Sequence, residues 1–189
     1  MSDPAATVSR WLEIVGLKHV DRAGWLRAGV IAPESVAAHS WGVAWLVLEL
    51  LPPELDLGRA LAYAVLHDLP EARVGDVTPH DGVDRETKHA LEASAAADLL
   101  PPRLAARWTA YEAQGDPESR FVKQLDRLDM ALQALAYAGH ADDLTPFVRS
   151  ARTTIHAPAL VALLDVLEGE LSRSRPTPEG PPGPPRTGR

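Results

Sequence analysis

His67-Asp68 closes the apolar run Leu61-Ala-Tyr-Ala-Val-Leu66, so an imidazole and a carboxylate stand where burial penalises them unless something compensates. A divalent metal ion is the leading candidate. His39 lies in an earlier helix-like run, Asp126 in a later one, and two more acids, Glu71 and Asp76, follow the pair closely. The chain has no cysteine, which leaves His, Asp and Glu as its strong ligands and makes any such centre one of nitrogen and oxygen. Two imidazoles with two carboxylates suit Mn²⁺, Co²⁺, Fe²⁺, Ni²⁺ or Zn²⁺ better than Mg²⁺. Such a centre keeps positions open for water and a substrate oxygen, as hydrolysis requires.

Each residue also has a plainer account. A lone inward His is more often a hydrogen-bonded core residue, and Asp126 could pair with Lys123 or Arg127, with Asp129 a rival ligand on the same helical face. Successive helical residues project about 100° apart, so His67 and Asp68 share one ion only near a helix end. Glu71 follows His67 by four residues and shares its face if the helix persists across Pro70, where it can hold or deprotonate a water. Asp76, past Gly75, can reach the same pocket from a loop. The plainer reading of both is a surface acid, with Arg73 as a partner.

These residues need a scaffold, and the pattern is nearly all helix: Ala and Leu abound, aromatics are 5%, and no segment alternates at period two. The sequence predicts six or seven main helices. The first spans about Ala5 to Leu17, with Val8, Trp11, Leu12 and Val15 on one face; a loop follows from Lys18 to Glu34. Ser35 caps the helix carrying His39, with Val43, Leu46, Val47 and Leu50, until Pro52-Pro53 stops it. A central helix covers about Leu57 to Asp68, and a short one Glu71 to Val74. Asp84 and Asp116 cap two more, an Arg-rich helix lies between them, and the Asp116 helix carries Phe121, Leu125, Leu128, Leu132 and Leu135 as a stripe to Gly139. Two shorter helices, about Leu144–Arg152 and Pro158–Ser172, complete a body of residues 1–172. Residues 173–189 read as a flexible tail, since six of the ten residues 176–185 are Pro.

With 189 residues, 46% of them hydrophobic, one buried core is expected. No stretch approaches the ~20 apolar residues of a membrane span, and the start lacks a secretion signal, so a cytoplasmic protein is expected. Net charge is −7, and the body before the tail carries 15 basic against 25 acidic side chains, which argues against long nucleic acid as a partner. A small anionic substrate remains compatible where a metal and one or two Arg neutralise it.

The wider pattern resembles the HD-domain phosphohydrolases, and within them the small 5'-deoxynucleotidase group. The residues that carry it are Arg22-Ala-Gly-Trp25, Pro33-Glu-Ser-Val-Ala-Ala-His39-Ser40, His67-Asp-Leu-Pro-Glu71, Gly75-Asp76-Val-Thr-Pro79, Lys88 to Glu92, and Val122-Lys-Gln-Leu-Asp126-Arg-Leu-Asp-Met130. The resemblance implies an all-α HD-domain bundle, one divalent ion on His39, His67, Asp68 and Asp126, and Glu71 and Asp76 as the acids that position water and assist the leaving group. It implies Arg22 on phosphate and Trp25 against the sugar 2' position, where an indole leaves no room for a hydroxyl. Ala28 stands three residues after Trp25, where the group often has Arg, so Arg22 and Arg27 compete for phosphate. It further implies a homodimer acting on small deoxynucleotides. The alternatives are an HD-type hydrolase of triphosphates or signalling nucleotides, a two-metal site recruiting His80 or His89, and a non-catalytic metal- or nucleotide-binding module.

Overall fold

Short polar side chains set where several helices begin. Ser35 accepts from Ala38 N–H, Asp56 from Arg59 N–H, Asp84 from Thr87 N–H and Asp116 from Ser119 N–H, each satisfying an amide that the first turn leaves without a partner. The computed structural model describes residues 3–141 and 143–174. Among them the elements are α1 (Pro4–Val15), α2 (Ala23–Arg27), α3 (Val36–Leu50), α4 (Leu57–Leu66), α5 (Glu71–Val74), α6 (Arg85–Leu99), α7 (Pro102–Glu112), α8 (Pro117–Ala136), α9 (Thr145–Thr154) and α10 (Pro158–Ser174). The bundle is all-α, as expected, with eight helices of ten residues or more among the described residues against the six or seven main helices predicted. α10 runs through Arg173 and Ser174, the first two residues of the predicted tail; the Pro-rich remainder lies outside the described residues.

α3, α4 and α8 pack against one another, with α9 and α10 on α8, α7 beside α4, and α5 and α6 next to α1. The main core gathers Val43, Val47, Tyr63, Ala64, Leu125 and Leu164, and a smaller one gathers Leu66, Leu69, Leu99 and Trp108. Tyr63 and Ala64 belong to the first, Leu66 and Leu69 to the second, so His67-Asp68 sits at the seam between them. Burying a Val, Leu or Phe side chain contributes about 1.5–3 kcal/mol, enough in aggregate to hold polar groups at that seam.

Three details differ from the sequence prediction. The segment expected as a loop from Lys18 to Glu34 contains a 3-10 turn and α2, because Trp25 is buried to 1% exposure and anchors a turn too short for periodicity to reveal. Backbone bonds from Arg22 N–H to Glu34 O and Val36 N–H to Val20 O clip this segment to the start of α3. The inward line of α8 is Val122, Leu125, Leu128, Ala131 and Ala134, while Leu132 is exposed, and Asp126 is buried with them. The apolar face of α1, finally, points outward: Val8, Trp11, Leu12 and Val15 are all exposed.

Candidate active site

α4 ends at Leu66, one residue before the His-Asp pair, because Pro70 lacks an amide to continue the ladder. His67 keeps helical angles as the C-cap, and Asp68 falls in the turn that follows. This resolves the 100° problem of adjacent residues: His67 Nε2 lies 3.1 Å from Asp68 Oδ2. α3 brings His39 Nε2 to 3.4 Å from His67 Nε2 and 3.8 Å from Asp68 Oδ2. α8 brings Asp126 Oδ1 to 3.3 Å from His39 Nε2. Ligand atoms of His39, His67 and Asp126 all fall within 4.8 Å of one another.

The outer nitrogens are spoken for. His67 Nδ1 lies 2.9 Å from Ala64 O, and His39 Nδ1 lies 2.8 Å from Asp129 Oδ2, partners that place a proton on each Nδ1 and free each Nε2. Lys123 donates to Asp126 Oδ2 at 2.8 Å, leaving Oδ1 toward His39. Two free imidazole nitrogens and the Asp126 oxygen face one another, and Asp68 Oδ2 lies beside both imidazoles, outside that group of three and paired with Arg22. These nitrogen and oxygen donors are of the kind that fits a divalent transition ion.

The electrostatics follow from crowding. Burial opposes charge on Asp68, yet His67, Arg22 and His39 hold its carboxyl well below the usual range. Asp126 is likewise held low against its burial by Lys123, His39 and Arg127. Burial and Arg22 work against a charged His39, but hydrogen bonds to Asp126 and Asp129 outweigh them and push it up to about 9. Glu71 goes the other way: burial first, then Asp68 and Asp76, push it well up against Arg22 and Lys88. Glu71 is 3% exposed, and its Oε2 is buried without a hydrogen-bond partner.

A cleft of about 590 Å³ opens beside these groups, lined by Asp68, Glu71 and Asp76 on one side and by Ala28, Met130, Pro146 and Phe147 on the other. Arg22 reaches Asp68 Oδ2 at 3.3 Å and Asp76 Oδ1 at 3.7 Å. Asp76 Oδ2 also accepts from Ala23 N–H at 2.8 Å, which ties the loop after Gly75 to the start of α2. Gly75 turns that loop with a φ of 77°, a conformation glycine adopts without strain. Arg27 donates instead to Thr78 Oγ1 at 2.6 Å and pairs with Asp81.

The sequence pattern of the HD-domain family matches residues 14–161. The chain belongs to the HD-domain family. It is 35% identical over 193 residues to 5'-deoxynucleotidase HDDC2 of Mus musculus, with 96% of this chain and 97% of that protein covered. Among solved structures it is similar to a conserved hypothetical protein from Pyrococcus furiosus, with a TM-score of 0.74, 30% identity, and 86% of this chain and 99% of that one covered. A predicted metal-dependent phosphohydrolase from Magnetospirillum magnetotacticum gives a TM-score of 0.68 at 27% identity, covering 90% of this chain and 93% of that one.

Within this HD domain the structure also places the remaining residues that the sequence singled out. Trp25 lies in the cleft wall as a core residue: its ring stacks on Phe147 at 4.0 Å, meets Tyr137 edge-on at 5.4 Å, and its N–H donates to Glu34 at 2.9 Å. Phe147, which the sequence reading missed, carries the aromatic face on the α9 side of the cleft. Asp129 binds the outer nitrogen of His39 and does not join the cluster around Nε2. His80 is exposed at the cleft rim, and His89 stacks on Trp108 at 5.8 Å; among the described residues neither belongs to a metal-capable group.

Proposed function

We propose that this chain is a divalent-metal-dependent phosphomonoesterase releasing inorganic phosphate from deoxynucleoside 5'-monophosphates. The observation that carries the reading is the convergence of His39, His67, Asp68 and Asp126 beside a cleft of about 590 Å³, a size suited to one small ligand. The activity of curated HD-domain relatives named 5'-deoxynucleotidase supports the substrate class. His39, His67, Asp68 and Asp126 would hold the ion, with Mn²⁺ or Co²⁺ our choice among those the donors suit. Bound there, a divalent ion supplies Lewis acidity toward water and a phosphoryl oxygen.

The chain's own residues divide the remaining work. Arg22, lodged between Asp68 and Asp76, forks onto the phosphate oxygens. Arg27 lines the same cleft but pairs with Thr78 and Asp81, whereas Arg22 is the one paired with Asp68, so we assign Arg27 to holding the loop after Gly75 rather than to phosphate. Glu71 orients the attacking water and takes its proton through the oxygen that lacks another partner. Asp76, fixed by the Ala23 amide, assists the departing 5'-oxygen. Phe147, backed by Trp25, packs on the deoxyribose side and crowds a 2'-hydroxyl.

A homodimer is part of the same proposal. Trp41, Trp45 and Leu48 form an exposed line along α3 and Val8, Trp11, Leu12 and Val15 another on α1; apolar surface of this kind commonly marks an interface. The test is a phosphate-release screen of deoxy- and ribonucleoside 5'-monophosphates, and of the triphosphates, with several divalent ions. Release of phosphate from deoxynucleoside monophosphates supports the reading; diphosphate or triphosphate as the product would replace it, and equal rates on ribonucleotides would remove the role given to Phe147 and Trp25.

A further inference from the structure

Gly42 stands three residues after His39, in the interior of α3, where glycine costs about 1 kcal/mol relative to alanine. The reason lies across the helix interface. A Cβ at position 42 would fall 2.9 Å from Asp129 Cγ and closer still to Oδ1, so the missing side chain is the space that the Asp129 carboxylate occupies. From that space Asp129 Oδ2 meets His39 Nδ1 at 2.8 Å. His39 is fully buried, and its Nε2 faces Asp126, Asp68 and His67. Glu34 closes the other flank: ligand atoms of Glu34, His39 and Asp129 lie within 4.8 Å of one another, and Glu34 accepts from the Trp25 indole.

We infer that Asp129, seated by Gly42, is a positioning residue for the metal centre: it accepts the hydrogen bond of His39 Nδ1–H, keeps the proton on that nitrogen, fixes the ring plane, and leaves Nε2 as the ligand nitrogen. The alternative of Asp129 as a ligand fails on geometry, since the imidazole ring stands between its carboxylate and the point the other donors share. A carboxylate behind a ligating His typically changes metal affinity 10- to 100-fold. The inference rests on the metal reading of His39.

The experiment has two parts. Co²⁺ affinity, measured by chelator competition on metal-stripped protein, should fall about 10- to 100-fold in Asp129→Ala, and less in Asp129→Asn, whose amide oxygen can still accept from Nδ1. Gly42→Ala should show a similar loss by displacing the carboxylate. In the double variant it should add nothing, because the space is then free. Losses that multiply, or Asp129→Ala binding Co²⁺ like the parent, would overturn the inference. The second part is ring-nitrogen NMR of the metal-free parent, at a pH where His39 is neutral: the Nδ1–H tautomer is expected, and the Nε2–H tautomer would overturn the inference even if the variants fail to fold. A parent that bound no Co²⁺ would remove the metal reading, while the tautomer would still decide what Asp129 does.

Discussion

Replacing Glu71 by Gln separates catalysis from architecture. Glu71 is 3% exposed and its carboxyl is pushed well up by burial and by Asp68 and Asp76, and Gln reproduces its shape without the charge that this site resists. The variant should therefore fold normally and keep its metal. Its turnover should not survive, because the amide cannot take a proton from water: a positioned acid-base group is worth about 10²–10⁴ in rate, or roughly 3–5 kcal/mol. Stability gives an independent reading. An acid whose folded-state pKa is raised contributes stability that is present below its unfolded value and is lost as pH rises through the folded one. Metal-free Glu71→Gln should therefore gain thermal stability relative to the metal-free parent as pH rises from 4.5. The assays are phosphate release, metal content of the purified variant, and melting temperature against pH. Turnover within tenfold of the parent, with metal retained, would refute the role of Glu71.

Other outcomes follow from the same geometry. His39, raised from 6.5 to about 9, gives metal-free protein a stabilising contribution that is complete below pH 6.5 and lost by about 9. Metal must displace that proton, so apparent Co²⁺ affinity should climb about tenfold per pH unit across this window and then level, as chelator competition would show. Arg22→Ala should raise KM and lower kcat on deoxynucleoside monophosphates, whereas Arg27→Ala, which only loosens the loop around Thr78, should change kcat/KM less than tenfold; the reverse ranking in steady-state kinetics would reassign phosphate binding. Phe147→Ala should narrow the preference for deoxy- over ribonucleotides, while Trp25→Ala, a core truncation, should cost about 3–5 kcal/mol in chemical denaturation. Trp45→Glu should convert a dimer to a monomer by light scattering without loss of helicity.

Much of the scaffold was legible because its signals are local. Ser35, Asp84 and Asp116 are caps wherever they precede a helical run, and Pro70 ends α4 by chemistry alone. His67-Asp68 stood out because buried polar residues need partners and the chain has no cysteine; the choice of Asp126 over Asp129 beside them came from the family resemblance. What escaped the sequence depends on which surfaces meet. α2 is too short to show a period, and its existence depends on a Trp25–Phe147 contact made from 122 residues away in the chain. The α8 stripe was placed a fraction of a turn off because Leu132 looks like core in sequence, although Ala131 and Ala134 are the buried residues. Asp129 could be ligand or support until the pairing with His39 Nδ1 was known; Gly42, an interior glycine near a candidate ligand, was the available sign. The outward face of α1 is indistinguishable from an inward one until the bundle is assembled.

The central claim is that one divalent ion, held by His39, His67, Asp68 and Asp126, enables phosphate release. Co²⁺ titration into chelator-stripped protein, following bound metal and phosphate release from a deoxynucleoside 5'-monophosphate together, tests it most directly. The account predicts that activity rises from none in proportion to occupancy, saturates at one ion per chain, and is lost together with bound metal in Asp68→Ala. Full turnover in stripped protein, or undiminished Co²⁺ binding by Asp68→Ala, would contradict it.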